Sequence, residues 1–158
     1  MKFKDEYFFL SNFYSERPLV IPIEGNNIIF HSAETAFWAQ KDPSKAKYFS
    51  LLKPLEAKNY ARDYVKATED WPLRQVVAMA NVLHIKFQDI VLLSKLCSIK
   101  EPIVNDNFWK DTFWGVHKGE GKNYLGKMLT CIRDSRNDIT KLENLVKEII
   151  SEIRSEVN

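Results

Sequence analysis

The sequence predicts a helix-dominated α+β domain with a few short strands near its N-terminus, and two observations support this fold class. Apolar residues recur at helical spacing over most of the chain after residue 32. The segments that resemble strands are short, and almost all of them precede that residue. A chain of 158 residues, of which 45% are hydrophobic, is long enough to bury a substantial core. We therefore predict a single domain over residues 1–158.

Three short strands are predicted before the first helix, over residues 7–10, 19–23 and 27–30. The last two flank Glu24-Gly25-Asn26, which suits a hairpin turn because glycine and asparagine tolerate positive φ angles. Pro102 is expected to end the helical segment before it, and residues 103–104 are predicted as one further brief strand.

The first helix is predicted to begin after Ser32, a good N-cap residue, and to end at Pro43. Glu34 falls in its first turn, where a carboxylate suits the helix dipole. Six further helices show start signals or apolar stripes; they begin at Ser44 and Pro54, follow Asp70, and cover residues 90–96, 124–132 and 138–158. The last of these is predicted as an addition to the domain.

The charge balance argues against a simple electrostatic nucleic-acid binder, because 23 basic residues stand against 21 acidic ones and the net charge is only +2. Positive charge is concentrated in residues 41–66, where seven basic residues outnumber three acidic ones. This bias fits either a phosphate or diphosphate site or an ordinary solvated helical face.

The sequence shows neither a signal-peptide pattern nor an apolar run long enough for a membrane span, so we expect a cytoplasmic protein with no membrane partner. Cys97 and Cys131 lack metal or redox spacing and are predicted to be buried free thiols. The three histidines, His31, His84 and His117, are scattered without ligand spacing. We expect neither a metal nor a cofactor.

The first candidate for chemistry is the predicted helix of residues 32–41. Seven residues separate Glu34 from Lys41, which places both on one stripe of a helix to within about 20°. Phe37 and Trp38 lie between them, and Lys41 can reach back over these rings toward Glu34. A carboxylate and an ammonium are costly to bury without function or pairing. The alternative is that both charged groups extend to the surface and only the aromatic rings are core.

The second candidate is the glycine-rich segment of residues 111–127. Four of the five glycines lie between Gly115 and Gly126, and Asn123 is placed to cap a following helix. Such a loop can offer backbone N–H groups to an anion. Trp114 is suited to stack on a base, and Asp111 supplies a carboxylate to the same segment. The spacing matches neither a P-loop nor a Rossmann fingerprint, and a flexible surface loop is the alternative.

Four motifs in order resemble the NADAR superfamily, the NAD- and ADP-ribose-associated, YbiA-like group. They are Leu10-Ser11-Asn12-Phe13, Ser32-x-Glu34 with Gln40-Lys41, Asp111-x-x-Trp114-Gly115, and Gly119-x-Gly121-x-Asn123-x-Leu125-Gly126-Lys127 with Arg133. The resemblance covers about residues 8 to 135. The chain departs from the family pattern at Trp38, where glutamine is common, and at Thr35 and Ala36, where histidine and an aromatic residue are frequent.

The resemblance implies that the site residues are those at the matching positions. Glu34 is similar to the helix carboxylate of the family, Lys41 to its motif lysine and Asp111 to its aspartate, so these three are predicted to be catalytic. The residues predicted to bind substrate are Asn12, Phe13, Ser32, Arg62, Trp114, Gly115, Gly119, Gly121 and Asn123. Lys41 is expected either to hold a phosphate or, with a pKa lowered by burial, to attack the ribose as a Schiff-base amine.

The function implied by the resemblance is that of an N-glycosidase, a hydrolase of ribosyl C1′–N bonds. The expected substrate is either ADP-ribosylated guanine in nucleic acid or a ribosylamino-pyrimidine phosphate of the riboflavin pathway. One alternative is a non-catalytic module that binds ADP-ribose or NAD; such a module does not need two carboxylates and a lysine, and all three are present. A helical interaction module built on the last helix is a third class.

Overall fold

The computed structural model describes residues 1–157 as a helix-rich chain with one small two-stranded sheet, which confirms the predicted fold class. The chain divides into two compact units. One unit covers residues 12–86, and the other combines residues 1–11 with the chain from Phe87 onward. Asn158, the last residue of the predicted final helix, lies outside the described residues.

The sheet belongs to the unit of residues 12–86 and is an antiparallel hairpin. Strand β1, Leu19–Ile23, pairs with strand β2, Asn26–Phe30, so that Leu19 faces Phe30. Glu24 and Gly25 form the connection, with φ angles of 49° and 79° that fit a two-residue hairpin turn. The predicted hairpin is therefore confirmed, although Asn26 belongs to β2 and the turn is one residue shorter than predicted.

Four α-helices complete this unit: α1 Ala33–Ala39, α2 Ala46–Phe49, α3 Pro54–Tyr64 and α4 Trp71–Lys86. Helix α1 packs against both α3 and α4, and its buried alanines allow these backbones to approach closely. Helix α1 ends at Ala39, before the predicted end at Pro43, because Pro43 instead begins a 3₁₀ turn, Pro43–Lys45, that leads into α2. The starts predicted at Pro54 and after Asp70 are confirmed.

The other unit contains three α-helices, α5 Ile90–Ser98, α6 Tyr124–Ser135 and α7 Ile139–Val157. Helix α6 packs against α5 and α7 through an apolar face that includes Met128 and Ile132. No single helix within residues 1–157 is long and apolar enough to cross a membrane.

Several local predictions in this unit are wrong. Residues 7–10 belong to a 3₁₀ helix, Asp5–Leu10, and not to a strand. In the described chain only β1 and β2 pair as strands, and a strand without a partner would leave its backbone N–H and C=O groups unsatisfied. Residues 103–104 form no strand; an isolated bridge joins Asp106 to Val116 instead. The start of α5 is solvent-exposed rather than buried, with Ile90 79% exposed. Cys97 and Cys131 are half-buried free thiols, not fully buried ones.

Candidate functional site

The N-terminus of α1 holds the predicted catalytic carboxylate in a buried, hydrogen-bonded position. Ser32 caps the helix as predicted, because its Oγ accepts a hydrogen bond from the backbone N–H of Thr35 over 3.1 Å. The N–H of Glu34 donates to the backbone carbonyl of Asn12 over 2.9 Å. The side chain of Glu34 is buried, and its Oε1 accepts from the indole Nε1 of Trp38 over 2.8 Å. Glu34 is thus fixed in place from two sides.

Lys41 reaches back over the aromatic rings of α1 as predicted, but its polar partner is not Glu34. Its Nζ lies 5.8 Å from the ring centre of Trp38 and donates to the backbone carbonyl of Ala61, on α3, over 2.7 Å. Burial lowers the pKa of Lys41 below the usual lysine value. The half-buried amine therefore lies beside the indole ring that holds Glu34.

An aromatic wall lies beside this helix; the sequence indicates its members Phe37 and Trp38 but not Trp71 of α4. The Trp38 ring packs on Phe37 at 4.8 Å between centroids, and Trp71 of α4 packs on Phe37 at 5.6 Å. Arg74 covers Trp71 at 4.9 Å and donates to the carbonyls of Gln40 and Lys41 at the end of α1. A cation from α4 thus binds the two carbonyls that directly follow α1, which suits the negative end of the helix dipole.

Asn12, whose backbone carbonyl accepts from Glu34, also carries a buried amide oxygen. The side chain of Asn12 is only 7% exposed, and its Oδ1 has no hydrogen-bond partner within residues 1–157. Its Nδ2 lies 3.3 Å from the sulfur of Met79. Buried amide oxygens rarely lack a hydrogen-bond donor, so this oxygen is unusual for a group that serves only the fold. Phe13, the next predicted residue, is half-buried.

Lys86 is a buried lysine that the sequence reasoning missed. Its Nζ lies 5.7 Å from the ring centre of Tyr14, and burial lowers the pKa of Lys86 to about 7. The signal was present in the sequence. Lys86 follows Leu83, Val82 and Met79 at spacings of three, four and seven residues, which places it on the apolar stripe of α4.

Arg62 lies away from these contacts, on the exposed side of α3. Its guanidinium binds the carboxylate of Asp63 through two hydrogen bonds, of 2.8 and 3.2 Å. Most of the basic side chains of residues 41–66 are exposed. A role for Arg62 in substrate binding stays a prediction.

The glycine-rich segment, in the other unit, is held by backbone hydrogen bonds and is not a flexible loop. The N–H groups of four consecutive residues, 122 to 125, donate to the carbonyls of residues 112 to 115 over 2.8 to 3.2 Å. Gly121 has a φ of 145°, and a Cβ there would collide with the carbonyl of Gly115. A Cβ at Gly115 would collide with the carbonyl of Asn105. Both glycines are needed for two backbone segments to approach this closely, whereas a Cβ at Gly119 would meet nothing within 4 Å.

Asp111 and Asn123 have structural partners within this segment. One oxygen of Asp111, Oδ1, accepts from the N–H groups of Phe113 and Trp114 over 3.0 and 2.9 Å, which fixes the turn that carries the Trp114 ring. Asn123 precedes α6 as predicted, but its side chain does not cap the helix. Asn123 has a φ of 55°, its Oδ1 accepts from the N–H of Asn105, and its Nδ2 donates to the carbonyl of Ile103.

These bonds change the expected anion site at the start of α6. The N–H groups of Tyr124 and Leu125 donate to the carbonyls of Phe113 and Trp114, so they are not the groups that the loop offers to a phosphate. The predicted residues therefore fall into two groups, one in each unit. Asn12, Ser32, Glu34 and Lys41 belong to one unit; Asp111, Trp114, Gly115, Gly121 and Asn123 belong to the other.

The fold and these motif positions define a member of the NADAR family. The family model for the NADAR domain matches residues 1–136, and the chain belongs to that family. The chain is similar to a solved structure, the NMR structure of the E. coli protein YbiA, with a TM-score of 0.71 and 27% sequence identity. The match covers 90% of this chain and 87% of that one. No curated protein matches the chain.

The titratable side chains of residues 1–157 contain no cluster of three or more histidine, cysteine, aspartate or glutamate residues that could hold a metal ion. The side chains around α1 offer a fixed carboxylate from Glu34, a half-buried amine from Lys41 and the aromatic face of Trp38. A carboxylate and aromatic rings are suited to stabilising positive charge on a bound ligand.

Proposed function

We propose that this chain is an N-glycosidase that hydrolyses a ribosyl C1′–N bond. The observation that carries the proposal is Glu34, a buried carboxylate fixed at the start of α1 by Asn12 and Trp38. Membership of the NADAR family supports it. A buried, oriented carboxylate is expensive to maintain, and a reaction that develops positive charge gives it a use.

Loosening a C1′–N bond builds positive charge on C1′ and the ring oxygen of the ribose. Glu34 supplies the negative charge that stabilises this state. The hydrogen bond from Trp38 fixes one carboxylate oxygen, and this sets the direction in which the other oxygen can face the ribose. An acid must also protonate the leaving nitrogen. The family resemblance implies Asp111 for this step.

Lys41 has two possible roles in the reaction. As an ammonium it binds a substrate phosphate. As a neutral amine it adds to C1′ of the ring-opened ribose, which the base nitrogen holds as an imine. A bond from the Lys41 nitrogen to C1′ forms, the C1′–N bond to the base breaks, and the base leaves with the proton that the lysine nitrogen gives up. Water then hydrolyses the imine between Lys41 and the sugar and frees both. The lowered pKa of Lys41, caused by burial, supports the second role, since it makes the neutral amine more available.

The substrate is an N-riboside of one of two kinds: ADP-ribosylated guanine, or a ribosylamino-pyrimidine phosphate of the riboflavin pathway. The proposal includes a cytoplasmic location, which the free thiols of Cys97 and Cys131 support because unpaired cysteines suit a reducing compartment.

Incubation of the protein with both substrates, followed by mass spectrometry of the released sugar, tests the proposal. We expect release of ribose phosphate or ADP-ribose from one of them, and a loss of release in Glu34→Gln. A protein that binds ADP-ribose tightly but releases no sugar from either substrate would contradict the proposal and identify a non-catalytic binding module.

A further inference from the structure

The last helix, α7, makes polar contacts with the glycine-rich segment as well as apolar contacts with α6. It begins at Ile139, beyond the residues 1–136 that the family model matches, and it belongs to the same unit as that segment. Leu142, Val146 and Ile149 are buried on its apolar face, and burial of this face accounts for the docking of the helix. The polar contacts, made by the last two turns of α7, therefore need an explanation of their own.

Lys122 precedes α6 and is bound by two carboxylates of α7. Its Nζ lies 3.9 Å from an oxygen of Glu152 and forms an ion pair with Glu156. The backbone N–H of Lys122 donates to the carbonyl of Thr112 over 2.8 Å, so this residue links α7 to the paired backbone after Asp111. All three charged side chains are half-exposed, and such an ion pair adds little to stability.

Tyr124, the first residue of α6, makes the buried polar contact with α7. It is only 1% exposed, and its hydroxyl donates to Oε2 of Glu152 over 3.2 Å. Burial and the nearby carboxylate raise the pKa of Tyr124, so the phenol keeps its proton and remains the donor. A buried hydroxyl is costly without a partner, so the bond to Glu152 fixes where this side chain lies.

Two aromatic contacts connect Tyr124 to the predicted substrate-binding residue Trp114. Tyr124 packs edge to face on Phe113 at 5.0 Å between centroids, and Phe113 packs edge to face on Trp114 at 4.7 Å. Backbone bonds to Asp111 and Leu125 fix the position of Trp114, but the direction of its half-buried ring depends on what the ring packs on. A shift of the Tyr124 ring is therefore passed through Phe113 to the Trp114 ring.

We propose that Glu152 of α7 is a positioning residue, which orients the Trp114 ring through Tyr124 and Phe113 and so controls how well that ring binds substrate. The inference rests on the proposed function and on the predicted role of Trp114 in substrate binding. A ring that is already oriented loses less side-chain freedom when a ligand binds, so the substrate binds more tightly. Loss of the Glu152 contact is therefore expected to weaken substrate binding and to leave the chemical step unchanged.

Fluorine NMR of protein labelled with fluorotryptophan reads the Trp114 ring directly and needs no catalysis. The chain has four tryptophans, and the resonance that disappears in Trp114→Phe is that of Trp114. Glu152→Ala removes the acceptor of the Tyr124 phenol, so we expect the Trp114 resonance to shift or broaden. Glu152→Gln supplies an amide oxygen to the phenol and is expected to restore the wild-type resonance.

Glu143→Ala is the matched control, because it removes a carboxylate from an exposed position of the same helix. Glu143 lies nine residues before Glu152, which is about 13 Å along the helix axis. This variant should leave the Trp114 resonance unchanged. Trp38 and Trp71, which belong to the other unit, serve as internal references in every spectrum.

Steady-state kinetics on whichever N-riboside the wild type cleaves tests the link to substrate binding. We expect Glu152→Ala to raise KM by between about twofold and tenfold, the range for ordering one side chain on binding, with kcat unchanged. Tyr124→Phe removes the hydroxyl, keeps the ring and should raise KM in the same way. Glu152→Gln and Glu143→Ala should keep the wild-type KM. Thermal melting of each variant checks that the fold is intact.

The outcomes separate this inference from the proposed function. An unchanged Trp114 resonance in Glu152→Ala overturns the inference, and so does an equal change in Glu143→Ala. A changed resonance with an unchanged KM also overturns it, because the ring then moves without effect on binding. If the wild type releases no sugar from either substrate, the proposed function fails, while the Trp114 resonance in Glu152→Ala and Glu152→Gln still decides whether α7 positions the ring.

Discussion

Trp38 Nε1 donates a hydrogen bond of 2.8 Å to Glu34 Oε1, one helical turn away on α1. This pair explains how a buried carboxylate is held at the start of a seven-residue helix. Trp38 also places an aromatic ring beside the carboxylate, packed on Phe37 at 4.8 Å between centroids.

Trp38→Phe removes this donor and keeps a ring that packs on Phe37. A hydrogen bond to a charged group contributes about 1.5–3 kcal/mol, so we expect kcat/KM for sugar release to fall about tenfold or more. The control is Trp71→Phe, which removes an indole N–H from the same aromatic wall and should leave kcat/KM close to the wild-type value. Equal effects of both substitutions would show that wall packing, and not the Glu34 bond, controls the rate.

Glu34→Gln removes the charge and keeps an oxygen that can accept from Trp38. If Glu34 stabilises positive charge on the ribose, we expect kcat to fall by on the order of 10²-fold or more, at an unchanged melting temperature. The measurement is steady-state release of sugar by mass spectrometry. A variant that stays within about threefold of wild type would remove Glu34 from the catalytic residues.

Asp111 also accepts two backbone hydrogen bonds, so two different substitutions can separate a structural role of this residue from a catalytic one. Asp111→Asn retains Oδ1 as acceptor for the N–H groups of Phe113 and Trp114, whereas Asp111→Ala does not. We expect both to lose on the order of 10²-fold in kcat if Asp111 is the acid, and only Asp111→Ala to lose stability, by about 1 kcal/mol. Urea unfolding and kcat are measured for each. Full activity in Asp111→Asn would show that Asp111 stabilises the turn and takes no part in catalysis.

Short-range features of the α1 region were predictable because they depend on spacing within one helix. Ser32 as N-cap and Glu34 in the first turn follow from local chemistry, and both are confirmed. The hydrogen-bond partner of Lys41 does not follow from that spacing, because the acceptor, the carbonyl of Ala61, lies twenty residues further along the chain. Periodicity places a side chain on a face, but it does not reveal which distant backbone group that face meets.

The glycine-rich segment shows the same division. Its positions were found from composition, but its rigidity depends on pairing between residues 112–115 and 122–125, which no helical or strand period encodes. Asn107 likewise carries no signal in the sequence, although its side chain closes the turn of residues 107–111. Lys86 is a different case. Its apolar neighbours at helical spacing do indicate burial.

The role of Lys41 is decided by trapping. Sodium borohydride added during turnover reduces an imine to a stable amine, so we expect a sugar adduct on the Lys41 peptide if the neutral amine attacks C1′. Lys41→Arg keeps a cation for phosphate and cannot form the imine; it should give no adduct. An active wild type that yields no adduct rules out the covalent route and assigns Lys41 to phosphate binding. An adduct on another lysine also contradicts the assignment.

Lys86 makes the stability of the fold depend on pH. Burial sets the pKa of Lys86 at about 7 in the folded chain, against 10.5 for a free lysine. Below pH 7 both states hold the proton, and between pH 7 and 10.5 only the unfolded chain does. The free energy of unfolding therefore rises with pH across that window, by up to about 1.4 kcal/mol per pH unit from this group.

Urea unfolding of wild type and Lys86→Met at pH 6, 7.5 and 9 measures this contribution. Because methionine carries no charge into the interior, we expect the variant to gain most over wild type at pH 6 and progressively less at higher pH. Lys95→Met is the matched control: Lys95 also lies over an aromatic ring, 5.2 Å from the centre of Phe9, but on an exposed position of α5. Its difference from wild type should be the same at each pH. A pH-independent difference for Lys86→Met would show that Lys86 keeps the same charge in both states.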